Sequence, residues 1–451
     1  MRVRPPRPFR LPLLALASVP RRLPFLALAC ALALASVRPL YAQSDEPGNE
    51  LTVYLVTMGY GDAIWQNFGH NAIRIVDAGT GTDVAYNYGM FAFDEPGFLT
   101  RFLRGRMRYW LARFDFLPMV SQYADENRTV WLQELNLTPA ERLELQGFLE
   151  WNALDENRFY RYDYFRDNCS TRVRDALDRA LGGLLRTRMH ADTGSLTYRD
   201  EALRLTSASI PISTGIDLGL GPAADQPLTH WDEGFIPMRL RDHVRNLTLE
   251  RPEGGRVPLV RNESVIFQAT RPVPPEVLPR RLAGYALAGI ASAVLIALIG
   301  RRARGSRGAA VLLAVILCVW SLATGLLGVV LAGLWALTDH AITFGNESLL
   351  QTNPVALALA VSAPMAALAG RSSRFASSLA RILVGLSLVG LLLNVLPWFD
   401  QSTGRIIALL LPIHLAVAWT LKPGMTMTTP RVRGGDRAWR AREARAAGRH
   451  R

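Results

Sequence analysis

Two short stretches near the start of the chain show the alternation of apolar and polar residues expected of β-strands. Leu51–Thr57 (LTVYLVT) and His70–Val76 (HNAIRIV) are rich in β-branched residues, and their apolar and polar positions partly alternate. This pattern is typical of half-buried strands. We therefore predict a strand in each of the two stretches.

Two further stretches repeat their apolar residues at the period of an α-helix. The run from Thr138 to Glu141 is a capping box with proline at the first helical position, and it predicts a helix through about Trp151. In residues 168–181 the apolar positions follow the i, i+4, i+7, i+8 rule, and a pair of glycines ends the helix. We predict a domain of mixed α and β structure over residues 43–270, with weaker signals and many turns after residue 185.

The second half of the chain is dominated by apolar runs. The segment RPVPPEVLPR is too rich in proline for a regular element, and it predicts a stiff linker at residues 271–281. Five apolar runs follow, at about 282–300, 309–337, 355–369, 382–397 and 405–421. The third and fourth are short for a bilayer of about 30 Å, which needs about 20 residues. We predict five spans over residues 282–421, with the two short ones tilted or broken.

The positions of the arginines predict how these spans are oriented. The loops RRARGSRG and GRSSR and the tail over residues 422–451 carry arginines, whereas loops 338–354 and 398–404 contain no Lys or Arg. Because positively charged loops remain in the cytoplasm, the first domain is expected outside it, in the periplasm or the extracellular space. The net charge of +13 over 451 residues therefore fits membrane topology better than nucleic-acid binding. We expect an integral membrane protein with no nucleic-acid partner.

The chain begins with the features of an export signal. Arginines precede the apolar run Leu23–Val37, and Leu40-Tyr41-Ala42 is a suitable cleavage site, so residues 1–42 are predicted to be a signal peptide. Two cysteines then remain, and Cys318 lies in an apolar run. Cys169 therefore has no apparent disulfide partner. An unpaired thiol in an exported domain is a candidate reactive group.

Cys169 lies in YDYFRDNCSTRV, at the predicted start of a helix. Unpaired backbone N–H groups and the helix dipole are expected to lower the pKa of its thiol there, and Asp167 or Asn168 can cap the turn. His70 is the best base among the four histidines of the domain, because a strand holds its ring and Gly69 leaves room beside it. Each residue also has an ordinary explanation: Cys169 as a small core residue, and His70 as a hydrogen-bonded strand histidine.

Three motifs together resemble a known family. FGHNAIRI (Phe68–Ile75), the segment Tyr86–Leu111 and YDYFRDNCSTRVRDAL (Tyr162–Leu177) resemble the N-terminal periplasmic domain of the Lnb-type lipoprotein N-acyltransferases, over about residues 50–185. The order of His before Cys resembles the circularly permuted papain-like group, which includes the lecithin–retinol acyltransferase-like enzymes. The resemblance implies an α+β circularly permuted papain-like periplasmic domain, followed by an all-α bundle of about five transmembrane helices in a bacterial inner membrane.

The same resemblance implies an activity. It is the N-acylation of the α-amino group of a diacylglyceryl-cysteine lipoprotein, through a thioester on Cys169 with His70 as the base. The expected acyl donor is a membrane phospholipid, and the acceptor is a diacylated lipoprotein. We expect no cofactor and no metal, because zinc, dithiol, serine-hydrolase and nucleotide motifs are absent from the sequence.

Further residues are candidates for orienting the base, stabilising an oxyanion or binding substrate. Asn87 and Tyr86 follow the histidine strand and are candidates to orient the imidazole, and Asn168 precedes the thiol. The candidates for substrate binding are Tyr162, Tyr164, Arg104, Arg106 and His340. Aromatic packing, turn chemistry or a solvated helix face would explain these residues equally well.

Two other functions fit the same residues. A cysteine amidase or peptidase acting on cell-wall peptides would use the same thiol and imidazole, with water as the acceptor. A membrane sensor or scaffold with a degenerate domain would need neither group. Five spans exceed what anchoring requires, which favours a lipid substrate. A long-chain acyl thioester on Cys169 would separate the transferase from the amidase, and the sensor predicts no effect of Cys169→Ser.

Overall fold

A computed structural model describes residues 46–251, 254–370 and 373–422. The predicted signal peptide and all but the first residue of the basic tail lie outside these ranges. Within them, the first part of the chain forms a sheet with helices packed on both faces, and the last part forms helices alone. The mixture of helix and antiparallel sheet places the first part in the α+β class.

A seven-stranded antiparallel sheet forms the centre of the first part. The strands lie in the order β11-β5-β1-β2-β3-β4-β6. The strands of the chain are β1 Leu51–Met58, β2 His70–Asp77, β3 Thr82–Met90, β4 Arg108–Asp115, β5 Val130–Leu135, β6 Phe159–Arg161, β7 Thr193–Thr197, β8 Pro227–Thr229, β9 Thr248–Arg251, β10 Gly255–Pro258 and β11 Val260–Phe267. Strands β7 and β8 form one separate pair, and β9 and β10 form another. Both strands predicted from alternation are confirmed as β1 and β2, which pair along their whole length.

Nine helices accompany the sheet in the described part of residues 46–281. They are α1 Phe98–Leu103, α2 Phe116–Asp125, α3 Pro139–Asn152, α4 Cys169–Ala180, α5 Leu184–Ala191, α6 Tyr198–Leu205, α7 Ile210–Gly219, α8 His230–Glu233 and α9 Pro237–Asn246. The two predicted helices are confirmed as α3 and α4. The capping box of α3 is formed in both directions, with Thr138 Oγ1 accepting from the Glu141 N–H and Glu141 Oε2 accepting from the Thr138 N–H. After α4 ends, Gly182 and Gly183 both adopt positive φ, as the predicted stop requires.

Residues 185–270 contain more regular structure than their sequence predicts. Five of the helices and five of the strands lie wholly or mostly in this range, and each helix has between 4 and 10 residues. Elements this short contain too few turns for a clear apolar period. Proline in the first turn of α7 and of α9 adds to the impression of turns, although proline is well tolerated there.

The two faces of the sheet pack against different helices. On one face, α3 and α4 cover a core that includes Val53, Ile73 and Tyr88. On the other face, α2 covers a smaller core that includes Val56 and Ala72. This division follows from the alternation of side chains along each strand, and it places neighbouring residues of β2 on opposite sides.

The last part of the described chain contains the five expected helices. They are α10 Leu282–Ala303, α11 Arg307–Leu337, α12 Ala356–Ala369, α13 Arg374–Leu393 and α14 Gly404–Thr420. Helices α10, α11 and α13 are long and apolar enough to cross a membrane, and α12 and α14 are shorter apolar helices. Five spans therefore remain a prediction. The prediction that the fourth run is short was wrong, because α13 begins at Arg374, eight residues before the apolar run.

A buried polar cluster holds the two parts of the chain together. Arg199 is 1% exposed, and its guanidinium pairs with Asp217 and Asp225. Asp217 also pairs with Arg405 at the start of α14, with 3.1 Å between Nε and Oδ2. Gln401, in the loop before α14, donates to the carbonyl of Leu220. These contacts fix the sheet domain against the helical region at one end of the apolar helices.

Candidate active site

The first turn of α4 meets the sheet where β3 ends. Gly89 adopts φ +87°, and a Cβ atom added to it would lie 3.1 Å from Cys169 Cβ. Only a residue without a side chain therefore allows the thiol to approach the strand this closely. Asn168 caps the helix, and its Oδ1 accepts from the N–H groups of Ser170 and Thr171 at 2.9 Å each. The cap is thus Asn168, and Asp167 instead pairs with Arg172.

Backbone N–H groups from a helix and a strand converge on the sulfur of Cys169. They belong to Cys169 itself, to Ser170 and to Asn71, which follows His70 in β2. Ser170 Oγ lies 2.8 Å from Asn71 Oδ1 and 2.6 Å from the carbonyl oxygen of Gly234, within hydrogen-bond distance of both. The nucleophile candidate is therefore held beside the strand residue adjacent to the histidine.

His70 is held from both sides on the face of the sheet that α2 covers. Its Nε2 lies 3.2 Å from Asn87 Oδ1, and its ring stacks on Tyr123 with centroids 6.2 Å apart. The Nδ2 of Asn87 donates to the carbonyl of Ala85, so the oxygen of the amide must face the imidazole. Because Asn87 Oδ1 can only accept, the imidazole of His70 is in the tautomer that carries its proton on Nε2. The lone pair of Nδ1 is consequently available to take a proton.

Burial decides the protonation of both groups. It raises the pKa of the Cys169 thiol to about 11, and this effect exceeds the stabilisation of thiolate by the three N–H groups. Burial, followed by the nearby charge of Arg128, lowers the pKa of His70 to about 4. The N–H groups at the helix N-terminus act in the predicted direction, but burial outweighs them, so the predicted net lowering of the thiol pKa was wrong. Near neutral pH the structure contains a neutral thiol and a neutral imidazole.

A cavity of about 330 Å³ opens on the His70 side of the sheet. Its walls combine apolar side chains with a few polar ones, and they include both groups that hold the imidazole. The lining residues are Asn87, Met90, Phe114, Asp115, Pro118, Met119, Gln122 and Tyr123. A space of this size next to a candidate base is suited to a substrate group.

Of the two tyrosines predicted to bind substrate, Tyr162 and Tyr164, it is Tyr162 that lies beside the thiol of Cys169. Burial, followed by the nearby sulfur of Cys169, raises the pKa of Tyr162. Its ring stacks on Tyr109 at 4.2 Å and meets the ring of Tyr164 edge-on at 5.7 Å. Tyr164 in turn stacks on His340 at 6.3 Å. The structure thus connects three of the predicted substrate-binding residues, from the thiol to the loop that follows α11.

The arginine candidates lie at the same loop. Arg106 pairs with Asp339, with 2.7 Å between Nε and Oδ2. Arg104 is exposed, and among the described residues no ion pair or hydrogen bond of its guanidinium is found. The backbone carbonyl of Arg104 accepts from the Asp339 N–H at 2.8 Å, and His340 Nε2 lies 3.0 Å from the carbonyl oxygen of Phe102.

Two of the residues predicted to orient the base or stabilise an oxyanion have other partners. The hydroxyl of Tyr86 donates to Glu150, on the face of the sheet opposite to His70. Both Nδ2 hydrogens of Asn168 are used, by the carbonyls of Tyr164 at 2.9 Å and Phe235 at 3.0 Å. The structure therefore brings Asn87 to the imidazole, and it brings neither Tyr86 nor the side chain of Asn168 to it.

The remaining histidines of the sheet domain lie together around α8 and α9. Donor atoms of His230, Glu233 and His243 lie within 4.8 Å of one another, close enough to be considered as metal ligands. His243 Nε2 is already 2.8 Å from Glu233 Oε2. His190 stacks on Trp231 instead. The contact between His243 and Glu233, together with the stacking of His230 on His243 at 4.3 Å, accounts for the proximity of these three side chains without a metal.

Sequence reasoning missed three contributors to the site. The side chain of Asn71 points away from His70 and donates to Thr57, but the backbone N–H of Asn71 faces the sulfur. Gly89 and Tyr123 carry no pattern that links them to the thiol or the imidazole. The one signal available was Gly89 itself, because an isolated glycine in a strand often marks a close approach.

Comparison with known protein families finds a match to the first part of the chain. Residues 41–200 match the family model described as the Lnb N-terminal periplasmic domain. No curated protein and no solved structure matches the chain. The matched range includes Cys169, His70 and Asn87, so the geometry described above belongs to the matched domain. Residues 41–200 are thus similar in sequence to an Lnb N-terminal periplasmic domain, and a C-terminal helical region follows in this chain.

Proposed function

We propose that the protein is a membrane-bound thiol acyltransferase that acylates the α-amino group of diacylglyceryl-cysteine lipoproteins. The observation that carries the proposal is the arrangement of Cys169, His70 and Asn87. The sulfur of Cys169 lies at a helix N-terminus and accepts the backbone N–H of Asn71, the residue after His70. The side-chain oxygen of Asn87 lies at hydrogen-bond distance from the imidazole of His70. This arrangement resembles the Cys-His-Asn triad of papain-like enzymes, which form acyl-Cys intermediates. The match to the Lnb domain supports the lipid substrate.

In the first step, the sulfur of Cys169 attacks the ester carbonyl of a membrane phospholipid. The bond from sulfur to the acyl carbon forms, and the bond from that carbon to the glycerol oxygen breaks. Nδ1 of His70 takes the thiol proton and passes it to the departing oxygen, so a lysophospholipid leaves. Because the resting pair is neutral, this proton transfer must accompany the attack rather than precede it.

In the second step, the amine of the lipoprotein attacks the thioester. The new amide bond forms, the carbon–sulfur bond breaks, and His70 carries a proton from the amine to the departing sulfur. An amine attacks a thioester faster than water does, so the intermediate favours transfer over hydrolysis. The backbone N–H groups of Asn71 and Cys169 face the sulfur, and we assign them as donors to the oxyanion that develops in each step.

The apolar helices give this chemistry its location. Three described helices are long enough to cross a membrane, and a buried network fixes the sheet domain against the helical region. The donor lipid and the lipid anchor of the acceptor both reside in the bilayer. An enzyme that joins them needs its nucleophile at the membrane surface, which we place on the periplasmic side of a bacterial inner membrane.

The test is the intact mass of the N-terminal peptide of a resident lipoprotein, from cells carrying the wild type, Cys169→Ser or Cys318→Ser. Cys318 is the matched control, because it is also a free cysteine but lies within α11. We expect one added acyl group on the α-amine with the wild type and Cys318→Ser, and none with Cys169→Ser. Equal peptide masses in all three would refute the activity and favour the amidase or the sensor.

A further inference from the structure

An exposed apolar patch lies next to the candidate site, on the loop between β3 and β4 and on the short segment between β1 and β2. We call it the aromatic patch, and it consists of Ile64, Trp65, Phe93, Leu99, Phe102 and Leu103. Phe93 is 64% exposed, Leu99 is 66% exposed and Trp65 is 58% exposed. The rings form one surface, since Trp65 contacts Phe93 at 5.8 Å and Phe98 joins Phe93 to Phe102. Contiguous exposed apolar surface of this kind marks a binding site for a protein or a membrane.

The position of the patch favours a membrane as its occupant. Helix α11, the longest apolar helix, ends at Leu337, and the residues that follow it bind α1 directly. Asp339 accepts from Arg106 and donates to the carbonyl of Arg104, and His340 bonds the carbonyl of Phe102. If α11 crosses the bilayer, its end marks the bilayer surface, and the patch lies at that level. Tryptophan, phenylalanine and leucine are the residues that proteins place at this interface.

The charges beside the patch fit the same occupant. Arg104 follows α1 immediately and exposes a guanidinium for which the described residues provide no partner. Arg101 on α1 already pairs with Glu95 at 2.8 Å. A free arginine at the edge of an apolar surface is suited to the phosphate of a phospholipid whose chains contact that surface.

A wall of stacked rings leads from the patch to the nucleophile. Phe93 meets Phe91 at 4.9 Å, Phe91 stacks on Tyr109 at 4.9 Å, and Tyr109 stacks on Tyr162 at 4.2 Å. Tyr162 lies beside the sulfur of Cys169, which contributes to raising its pKa. The wall therefore extends from an exposed residue to the thiol without an interruption by a charged side chain.

We propose that the aromatic patch inserts into the adjacent membrane leaflet and binds the acyl chain of the donor phospholipid. The chain lies along the ring wall, and the ester carbonyl reaches Cys169 while Arg104 binds the phosphate. Membrane insertion of the patch is independent of the reaction, whereas the role of the wall rests on the proposed acyl transfer. The occupant is a lipid leaflet, and a second copy of the chain is the alternative that the experiment must detect.

Photo-crosslinking of the full-length protein tests the insertion. p-Benzoylphenylalanine replaces Phe93 in one variant and Trp151 in the control, and each protein is reconstituted in vesicles of phosphatidylethanolamine and phosphatidylglycerol. Trp151 is a matched control because it is 55% exposed but lies on α3, outside the patch. We expect phospholipid adducts at position 93 and background at position 151. Equal labelling at the two positions, or protein dimers instead of lipid adducts at position 93, would overturn the insertion.

A kinetic comparison tests the role in substrate binding. The double variant Phe93→Ser, Leu99→Ser and the control Trp151→Ser are compared for acyl-Cys169 formation from vesicle phospholipid and from water-soluble p-nitrophenyl butyrate. We expect the double variant to lose about tenfold or more with vesicles only, because membrane affinity scales with the apolar area that inserts. If the double variant still releases a rapid burst of p-nitrophenol from the soluble ester, its site is folded. Equal rates with vesicles for the double variant and the control would overturn the binding role.

The two experiments separate the failure of this proposal from failure of the proposed function. If the wild type forms no acyl-Cys169 from either ester, the acyltransferase proposal fails, and the proposed role of the patch in substrate binding fails with it. The crosslinking result at position 93 still decides whether the patch inserts into the leaflet. If the wild type is acylated but position 93 gives no lipid adduct, the patch proposal alone is wrong.

Discussion

Gly89→Ala is the substitution that tests most sharply whether the position of Cys169 matters. Gly89 has φ +87°, and an added Cβ would lie 3.1 Å from Cys169 Cβ and 3.8 Å from its Cα. Carbon atoms attract best at about 3.5–4.0 Å, so the first turn of α4 must move away by several tenths of an ångström. The neighbouring atoms belong to the backbone and to Cβ, so a change of rotamer cannot relieve the contact.

The expected magnitudes follow from these two features. The left-handed conformation of a residue with a side chain costs about 1–2 kcal/mol in folding free energy. Displacement of a nucleophile by about 1 Å can cost about 100-fold in rate, and a smaller shift suggests a loss of about tenfold or more. Gly81→Ala is the matched control, because Gly81 has φ +74° but no atom within 4 Å of the added Cβ. Both variants should lose similar stability, and only Gly89→Ala should lose activity.

The assay is the rate of acyl-Cys169 formation from p-nitrophenyl butyrate, followed as the burst of p-nitrophenol. Thermal unfolding of each variant in detergent measures the stability cost separately. If Gly89→Ala and Gly81→Ala acylate at the same rate, the close approach of β3 to the thiol has no role in the reaction. In that case the site would have to be sought elsewhere in the domain.

Two further predictions concern the base and the domain interface. Asn87→Asp places a carboxylate at Nε2 of His70 and raises the imidazole pKa from about 4, so the acid limb of the burst rate should move to higher pH. Asn87→Ala removes a hydrogen bond that raises this pKa, so it should slow the burst and move the acid limb to lower pH. An unmoved acid limb in Asn87→Asp would show that His70 is not the base. Arg199→Ala leaves Asp217 buried and short of a partner, so it should lower the free energy of unfolding by about 3–5 kcal/mol, against about 0–1 kcal/mol for the exposed Arg188→Ala. Equal thermal unfolding temperatures for the two variants would contradict the structural role of Arg199.

The sequence predicts those parts of the fold that depend on local patterns. Strands β1 and β2 follow from alternation, and α3 follows from a capping box that the structure forms in full. Helix α4 follows from its apolar period and from the glycines after it. These features depend on residues close together in the chain, which is why a single sequence reveals them.

The features that the sequence did not predict depend on residues far apart in the chain. Strand β11 joins the sheet beside β5, although more than 120 residues separate the paired Glu134 and Asn262. The direction of the Cys169 pKa shift depends on burial by other elements, which no local pattern gives. The pairing of Arg106 with Asp339 likewise joins the sheet domain to a loop between apolar helices.

The candidate site was predicted in its principal residues, and its contacts were not. Cys169, His70 and Asn87 were all named from sequence motifs. The structure brings Asn87 to the imidazole of His70, and it brings the backbone N–H of Asn71 to the sulfur of Cys169. From the sequence alone, Asn87 and Tyr86 are equal candidates to orient the imidazole, because they are neighbours. Only the pairing of β3 with β2 decides between them, since adjacent strand residues face opposite sides of the sheet.

The most direct test of the central claim is the intact mass of the purified full-length protein after incubation with phospholipid vesicles and no acceptor. We predict an added mass of one long acyl chain, located on Cys169 by peptide mapping and removed by neutral hydroxylamine, as a thioester requires. Cys169→Ser should show no hydroxylamine-labile acyl group, and Cys318→Ser should behave as the wild type. A wild-type protein that stays unmodified, or an acyl group on another residue, would contradict the assignment of Cys169 as the nucleophile.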